Sequence, residues 1–63
     1  MEKNYPIGIR IISCRDPLLW YSNKKTTIVP FICDLDRDTW LSREDAGYTN
    51  IVYKHDGELV YEN

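Results

Sequence analysis

The sequence predicts an all-β domain, and three of its features lead to this fold class. Short apolar segments recur about every 8–12 residues and are separated by polar or glycine-containing turns. Within the segments apolar and polar residues alternate, as around Ile7, Ile9 and Ile11, which is the period-two pattern of a half-buried strand. No segment is long enough to predict a stable helix. With 63 residues, the chain is expected to form a single domain, residues 1–63.

Five segments have the composition of strands. They are residues 7–14, 27–33, 40–43, 48–54 and 58–61. A short acidic turn joins the second and third, so region 27–43 is predicted to be a β-hairpin on which the shorter flanking strands close. Pro30 lies inside the second strand, and because proline cannot donate to a ladder it marks an edge position or a bulge. Residues 55–57 are expected to form a tight turn or a 3₁₀ turn.

The longest connection, residues 16–26, has an apolar run that is unusual for a loop. Its aromatic residues, Trp20 and Tyr21, are followed by a polar tip that contains Lys24 and Lys25. Full exposure of the run would be costly in water, so part of it is expected to fold back over the end of the domain. Two interpretations of Trp20 stay open: it contacts a partner, as tryptophan often does at hot spots, or it covers the core as a lid.

Alternation within the strands predicts the hydrophobic core. The residues expected to face inward are Ile9, Ile11, Val29, Phe31, Leu41, Ile51 and Val60. The register of the second strand is left open, because Ile28 and Ile32 compete for its inward face. So short a chain buries only about 60% of the surface it exposes when unfolded, so large side chains must supply much of the core.

Charge and hydropathy bear on two classes of partner, nucleic acids and membranes, and on the location of the protein. The net charge of -2 argues against a strong sequence-independent nucleic-acid binder, which usually carries a basic excess, and leaves a local basic patch open. No apolar run approaches the roughly 20 residues of a membrane span, so no membrane partner is expected. The first residues lack the pattern of a signal peptide, and the expected location is the cytoplasm.

The acidic turn resembles the start of a calcium-binding loop. Asp34, Asp36 and Asp38 have the required spacing, and Asp45 falls at the twelfth position. Thr39, however, stands where such a loop needs glycine, and strands rather than helices flank the turn. A solvated hairpin turn is therefore expected, with no metal site and no cofactor.

His55 is the only histidine, and Asp56 follows it. A histidine beside a carboxylate can serve acid–base chemistry, but no nucleophile is indicated near them, so no catalytic residue is predicted. Cys14 and Cys33 are the only cysteines. Since a disulfide framework in a small secreted domain usually needs four or more, both are expected to be free and partly buried thiols. A bridge in an oxidising medium is the alternative.

The order of these segments resembles that of the SH3-like small β-barrels of bacteria and phages. The resemblance rests on the first strand, the Trp20-Tyr21 loop, the 27–43 hairpin, and the stretch from Gly47 through Tyr53 to Val60, and it covers residues 7–61. It implies a five-stranded SH3-like barrel and a module that binds peptides, proteins or nucleic acids. The chain lacks the acidic loop and paired tryptophans of SH3 domains that bind proline-rich peptides.

The function expected from the sequence is a non-enzymatic interaction module that binds and modulates a protein partner, as small phage or bacterial accessory proteins do. The predicted contact residues are Trp20, Tyr21, Lys24 and Lys25, with Trp40 beside the acidic turn as the next candidate. The rival function is nucleic-acid binding, by basic residues that line one face with Trp40 or Tyr48. The basic residues in question are Arg10, Arg15, Lys24, Lys25, Arg37 and Arg43.

Overall fold

The computed structural model describes residues 5–62 and confirms the all-β class. Its elements are strands β1 (Pro6–Ile11), β2 (Ile28–Pro30), β3 (Cys33–Asp34), β4 (Thr39–Arg43), β5 (Thr49–Tyr53) and β6 (Gly57–Tyr61), and a 3₁₀ turn (Lys54–Asp56). The sequence predicts a tight turn or a 3₁₀ turn at residues 55–57, and the structure has a 3₁₀ turn that begins one residue earlier. Within the described range, no helix has the length and hydropathy that a bilayer crossing needs.

The strands form two antiparallel sheets of three strands each. The first sheet has the order β2-β1-β6, and the second has the order β3-β4-β5. The pairing does not close into a barrel, and there are six strands where the sequence predicts five. The difference arises in the predicted second strand, which the structure divides into β2 and β3.

Pro30 explains this division. It is the last residue of β2 and pairs with Gly8 of β1, and its ring nitrogen has no hydrogen to continue a ladder. Two residues later, the N–H of Ile32 donates to the carbonyl of Leu41 at 2.9 Å. The chain therefore leaves the first sheet at Pro30 and joins the second sheet at β3.

The first strand is shorter than predicted, because the 3₁₀ turn takes over its pairing. The N–H groups of Ile12 and Ser13 both donate to the carbonyl of Asp56, at 2.8 and 3.2 Å. Two successive donors on one acceptor end the regular ladder, so β1 stops at Ile11 rather than at Cys14. This irregularity places Ser13 beside the 3₁₀ turn.

The core lies between the two sheets and includes one residue of the long loop. The buried apolar residues are Ile9, Ile11, Tyr21, Val29, Trp40 and Val52, and Cys14, Leu19, Trp20, Phe31 and Leu59 pack against them. The predicted inward positions of Ile9, Ile11 and Val29 are confirmed. Phe31 is half-buried at the crossing between the sheets.

The prediction that Leu41 and Ile51 face the core is wrong. Trp40 pairs with Val52 and both are buried, whereas Leu41 pairs with Ile51 and both are half-buried on the outer side. Ser42 shares the inner face with Trp40, where its hydroxyl group donates to the carbonyl of Pro30 at 2.6 Å. Burying the large indole of Trp40 outweighs burying Leu41, and the hydroxyl of Ser42 has an internal acceptor.

The last strand is shifted in the same way. Val60 lies opposite Gly8 and is half-buried, while Leu59 lies opposite Ile9 and packs against the core. Since neighbouring residues of a strand face opposite sides, Leu59 takes the inward position that the sequence assigned to Val60. The prediction that Val60 is a core residue is therefore wrong.

Candidate functional site

The connection between β1 and β2, residues 12–27, is a compact loop that we call the docked loop. Successive backbone hydrogen bonds fold it into turns, from Leu19 to Asp16, from Ser22 to Leu19 and from Lys24 to Tyr21. The hydroxyl group of Ser22 also donates to the carbonyl of Pro17 at 3.2 Å. The loop therefore has an ordered backbone without being a helix or a strand.

Two aromatic side chains fasten this loop to the outer edge of β5. The indole N–H of Trp20 donates to the carbonyl of Ile51 at 2.7 Å, and the hydroxyl oxygen of Tyr21 accepts the N–H of Tyr53 at 3.1 Å. The two rings meet edge to face, with centroids 5.6 Å apart. The side chains thus occupy backbone groups that an edge strand would otherwise leave open.

A buried carboxylate organises the other end of the loop. Asp56 is 3% exposed, and its Oδ2 accepts the hydroxyl group of Tyr21 at 2.6 Å. Its Oδ1 accepts the hydroxyl group of Ser13 at 3.4 Å and lies 3.4 Å from Nε2 of His55. Burial of the phenol, together with its hydrogen bond to Asp56, raises the pKa of Tyr21 above its usual value of 10.0.

A cleft of about 330 Å³ opens above this carboxylate, lined by Ser13, Arg15, His55 and Asp56. The exposed imidazole of His55 is stacked on the ring of Tyr53, with 5.4 Å between ring centroids. Ser13 and His55 share one oxygen of Asp56, so the imidazole does not stand between the hydroxyl and the carboxylate. The arrangement therefore lacks the serine–histidine contact by which a nucleophile is activated.

The structure separates the predicted contact residues. Tyr21 has no exposed surface and Trp40 is also buried, so both belong to the core rather than to a surface for a partner. Trp20 is half-buried, and Lys25 is exposed. Lys24 forms an ion pair of 2.7 Å with an aspartate of the β4–β5 turn. The expectation of one exposed edge made by all four loop residues is thus corrected.

Leu18 is the most exposed large apolar residue of the docked loop, and the sequence does not single it out. Its side chain is 91% exposed, the highest value among the large apolar residues described. Its backbone N–H donates to Oδ1 of Asp16 at 2.9 Å, an Asx-type turn that begins the loop. The signal for this turn is the Asp16-Pro17 pair, but the sequence does not tell which residue of the following apolar run faces solvent.

Four basic side chains of the described residues, those of Arg10, Lys24, Arg43 and Lys54, are engaged in local contacts. Ion pairs join Arg10 to Glu58 at 3.4 Å and Lys54 to Asp34 at 2.8 Å, in addition to the pair of Lys24. Arg43 donates to the carbonyl of a turn residue at 2.8 Å. These contacts compensate charges that a phosphate-binding surface would need.

The acidic turn is held by hydrogen bonds of its own. Oδ1 of Asp36 accepts the N–H groups of Asp38 and Thr39 at 2.9 and 3.0 Å and the hydroxyl group of Thr39 at 2.7 Å. The bond from the Thr39 hydroxyl is the main reason why the pKa of Asp36 is lowered. In the described part of the chain, no three residues with ligating side chains are grouped for a metal ion.

Both cysteines are free, as the sequence predicts. Cys14 is half-buried and its thiol lies 3.3 Å from the carbonyl oxygen of Asp16, whereas Cys33 is exposed. The expectation that both thiols are partly buried is therefore wrong for Cys33. Cys33 lies in β3, the two-residue strand at the edge of the second sheet.

No family model, curated protein or solved structure matches this chain.

Proposed function

We propose that the protein is a non-enzymatic interaction module that binds a protein partner through the exposed part of the docked loop. The contact surface consists of Leu18, Lys25 and the accessible edge of Trp20. The observation that carries the proposal is the exposed Leu18 on a loop whose backbone is fixed by side-chain hydrogen bonds.

The anchoring of the loop bears on its affinity for a partner. A contact loop that must be ordered on binding loses affinity, because the ordering of its side chains and backbone costs free energy. Here Trp20 and Tyr21 already hold the loop against β5 before any partner arrives. An exposed leucine on such a support provides apolar contact area without that cost.

A protein partner is favoured over a nucleic acid by the charges. Three basic side chains are paired with carboxylates, and the chain as a whole has a net charge of -2. A nucleic-acid surface needs cations that are free to neutralise phosphates. Nucleic-acid binding remains the alternative function, with Arg15 and Lys25 as its candidate contacts.

We also propose that the two sheets are an open form of the SH3-like arrangement. The continuous segment from β2 to β3 supports this proposal, since it pairs first with β1 and then with β4 and so joins the sheets. The 3₁₀ turn between β5 and β6 makes the second connection between them. An experimental structure that pairs β2 with a different strand would contradict the proposal.

The proposed surface can be tested with two leucine variants. Leu18→Ser removes the apolar contact from the docked loop, and Leu35→Ser makes the same change in the acidic turn, where Leu35 is also exposed. Each variant and the unchanged protein would be used to capture partners from a lysate of the source organism, and the affinity of a captured protein would then be measured. We expect Leu18→Ser to weaken binding by about 1–2 kcal/mol and Leu35→Ser to have little effect.

A second experiment distinguishes protein binding from nucleic-acid binding. Binding of a labelled oligonucleotide would be measured at low and high salt, because phosphate contacts weaken steeply with salt concentration. Tight, salt-sensitive oligonucleotide binding that is lost in Arg15→Gln would favour the nucleic-acid alternative. A protein partner whose affinity is equal for both leucine variants would reject the proposed surface.

A further inference from the structure

Three of the four sheet edges are blocked against pairing with another strand. The edge strand β2 has three residues and ends at Pro30, and the edge strand β3 has two residues. The outer edge of β5 is occupied by the side chains of Trp20 and Tyr21. Short length, proline and cover by a loop are the devices by which proteins protect sheet edges.

The fourth edge, formed by β6, has none of these devices. Its five residues, Gly57–Tyr61, include neither proline nor lysine, and β1 is its only strand partner within residues 5–62. Among the described residues, no loop backbone forms a hydrogen bond with residues 58–61. The strand is therefore a five-residue template with one side open.

The hydrogen-bond pattern shows which backbone groups point to the open side. The N–H of Ile12 donates to the carbonyl of Asp56, so this carbonyl points toward β1. Antiparallel pairs alternate along a ladder, and the backbone groups of Glu58 and Val60 therefore point toward β1. Those of Leu59 point outward. The ladder has a bulge between Pro6 and Gly8, and beyond it Tyr61 is paired with Pro6, which has no N–H for a hydrogen-bonded pair, so the backbone groups of Tyr61 also point outward.

The backbone groups of Gly57 also point outward, but one of the two already forms a hydrogen bond. Its N–H donates to the carbonyl of Lys54 and closes the 3₁₀ turn. Its carbonyl has no backbone donor among the described residues. The open edge thus offers both groups of Leu59, both groups of Tyr61 and the carbonyl of Gly57.

Exposed apolar side chains lie at the same end of the first sheet. Tyr61 is 48% exposed, and the register pairs it with Pro6, whose two neighbours Tyr5 and Ile7 are also exposed. The single charged residue of β6 is Glu58, which forms an ion pair with Arg10 of the adjacent strand. The edge therefore combines open backbone groups with apolar surface and a charge that is already paired.

We propose that β6 pairs antiparallel with β6 of a second copy of this chain, in the register that places Leu59 opposite Leu59. The two leucines then exchange N–H and carbonyl groups, and each Tyr61 N–H donates to the open carbonyl of Gly57 in the other copy. This pairing joins the two first sheets into one sheet of six strands.

The register suits a second copy because it is self-complementary. Glu58 lies opposite Val60 of the other copy, so the two carboxylates are not opposed. A two-fold axis passes between the two Leu59 residues, and every contact occurs twice, as in an isologous interface. The interface lies on β6 and does not involve the docked loop, so it is independent of the proposed partner surface.

Two tyrosine variants of identical composition test the proposal. Tyr61→Lys puts a charge on the open edge, whereas Tyr48→Lys makes the same substitution in the β4–β5 turn, where the tyrosine is 72% exposed. Association of each protein would be measured by sedimentation from low micromolar to near-millimolar concentration. We expect the unchanged protein and Tyr48→Lys to form dimers with similar affinity, and Tyr61→Lys to associate about tenfold or more weakly.

Amide hydrogen exchange tests the register without any substitution. The N–H groups of Glu58 and Val60 should be protected at every concentration, because they are bonded to β1. Those of Leu59 and Tyr61 should exchange fast at low concentration and slow as the dimer forms. A protein that stays monomeric, a dimer that Tyr61→Lys does not weaken, or protection of Leu59 that is independent of concentration would each overturn the proposal.

Discussion

At the scale of single residues, the hydroxyl group of Tyr21 connects three parts of the chain. It donates to Asp56 of the 3₁₀ turn and accepts from Tyr53 of β5, while its own backbone belongs to the docked loop. Asp56 is 3% exposed, so solvent has little access to its carboxylate to replace this donor. A buried acceptor without its partner costs more than an average hydrogen bond contributes.

Tyr21→Phe is therefore expected to lower the free energy of unfolding by about 1–3 kcal/mol, although the ring and its packing are kept. Urea unfolding followed by circular dichroism would measure the change. The control is Tyr48→Phe, which removes a hydroxyl from an exposed ring and should change the stability by less than about 0.5 kcal/mol. Equal effects of the two variants would show that the network around Asp56 does not stabilise the fold.

Because the same hydroxyl group has a raised pKa, we expect the protein to lose stability at alkaline pH. The pKa of Tyr21 is raised in the folded state, so the folded protein binds the phenolic proton more tightly than the unfolded chain does. Its contribution is fully present below the unfolded pKa of 10.0 and is lost as pH rises above that value. Between about pH 9 and 11, the unchanged protein should lose more stability than Tyr21→Phe, and parallel curves would contradict this assignment.

At the scale of elements, the two neighbours Ile51 and Val52 show which face of β5 is turned toward the core. Val52 is buried between the sheets, and Ile51 is half-buried on the outer side. Val52→Ala is expected to cost about 2 kcal/mol or more, and Ile51→Ala about 1 kcal/mol, although the second change removes more carbon atoms. Thermal unfolding of both variants would measure this order, and the reverse order would favour the sequence prediction that Ile51 faces the core.

The docking of the loop on β5 depends on the indole N–H of Trp20. Trp20→Phe keeps an aromatic ring but removes the donor to the carbonyl of Ile51, and it should cost about 1 kcal/mol of stability. Because the loop would then leave the edge more often, the N–H of Tyr53 should exchange faster with solvent. Unchanged exchange at Tyr53 would mean that Tyr21 alone holds the loop in place.

At the scale of the whole molecule, the two sheets are expected to unfold together. A methyl group on Gly57 of the first sheet would lie 2.7 Å from Cγ2 of Ile9 and 3.6 Å from Cζ3 of Trp40, so Gly57 marks a close approach between the sheets. Tryptophan fluorescence reports this contact, and far-ultraviolet circular dichroism reports the strands. The two signals should share one midpoint in urea, and separate transitions would show that each sheet is a unit of its own.

Local patterns in the sequence predicted strands and turns better than they predicted which side of each strand faces the core. The alternation of Ile7, Ile9 and Ile11 has one apolar face, so the orientation of β1 could be assigned correctly. In β4 and β5, apolar residues stand next to each other, as in Trp40-Leu41 and Ile51-Val52, and period two alone cannot choose between the two faces.

The candidate site shows the same limit. The apolar run of the docked loop could be recognised from composition, but its exposed member is Leu18, and Tyr21 lies in the core. The reason is three hydrogen-bonding groups far along the chain. Two are acceptors, the carbonyl of Ile51 and the carboxylate of Asp56, and one is a donor, the N–H of Tyr53. No pattern within the loop itself encodes partners that are more than thirty residues away.

The sequence by itself determined the all-β class, most strand positions, a turn before the last strand and the free state of both thiols, because these depend on neighbouring residues and on composition. Only the tertiary structure decided the number of sheets, the faces of β4, β5 and β6, and the exposure of each loop residue. These depend on which groups meet across the core: Pro30 ends one ladder, Trp40 fills the space between the sheets, and Asp56 receives Tyr21. Such pairings are set by packing and by the need to satisfy buried polar groups, and both are properties of the folded molecule.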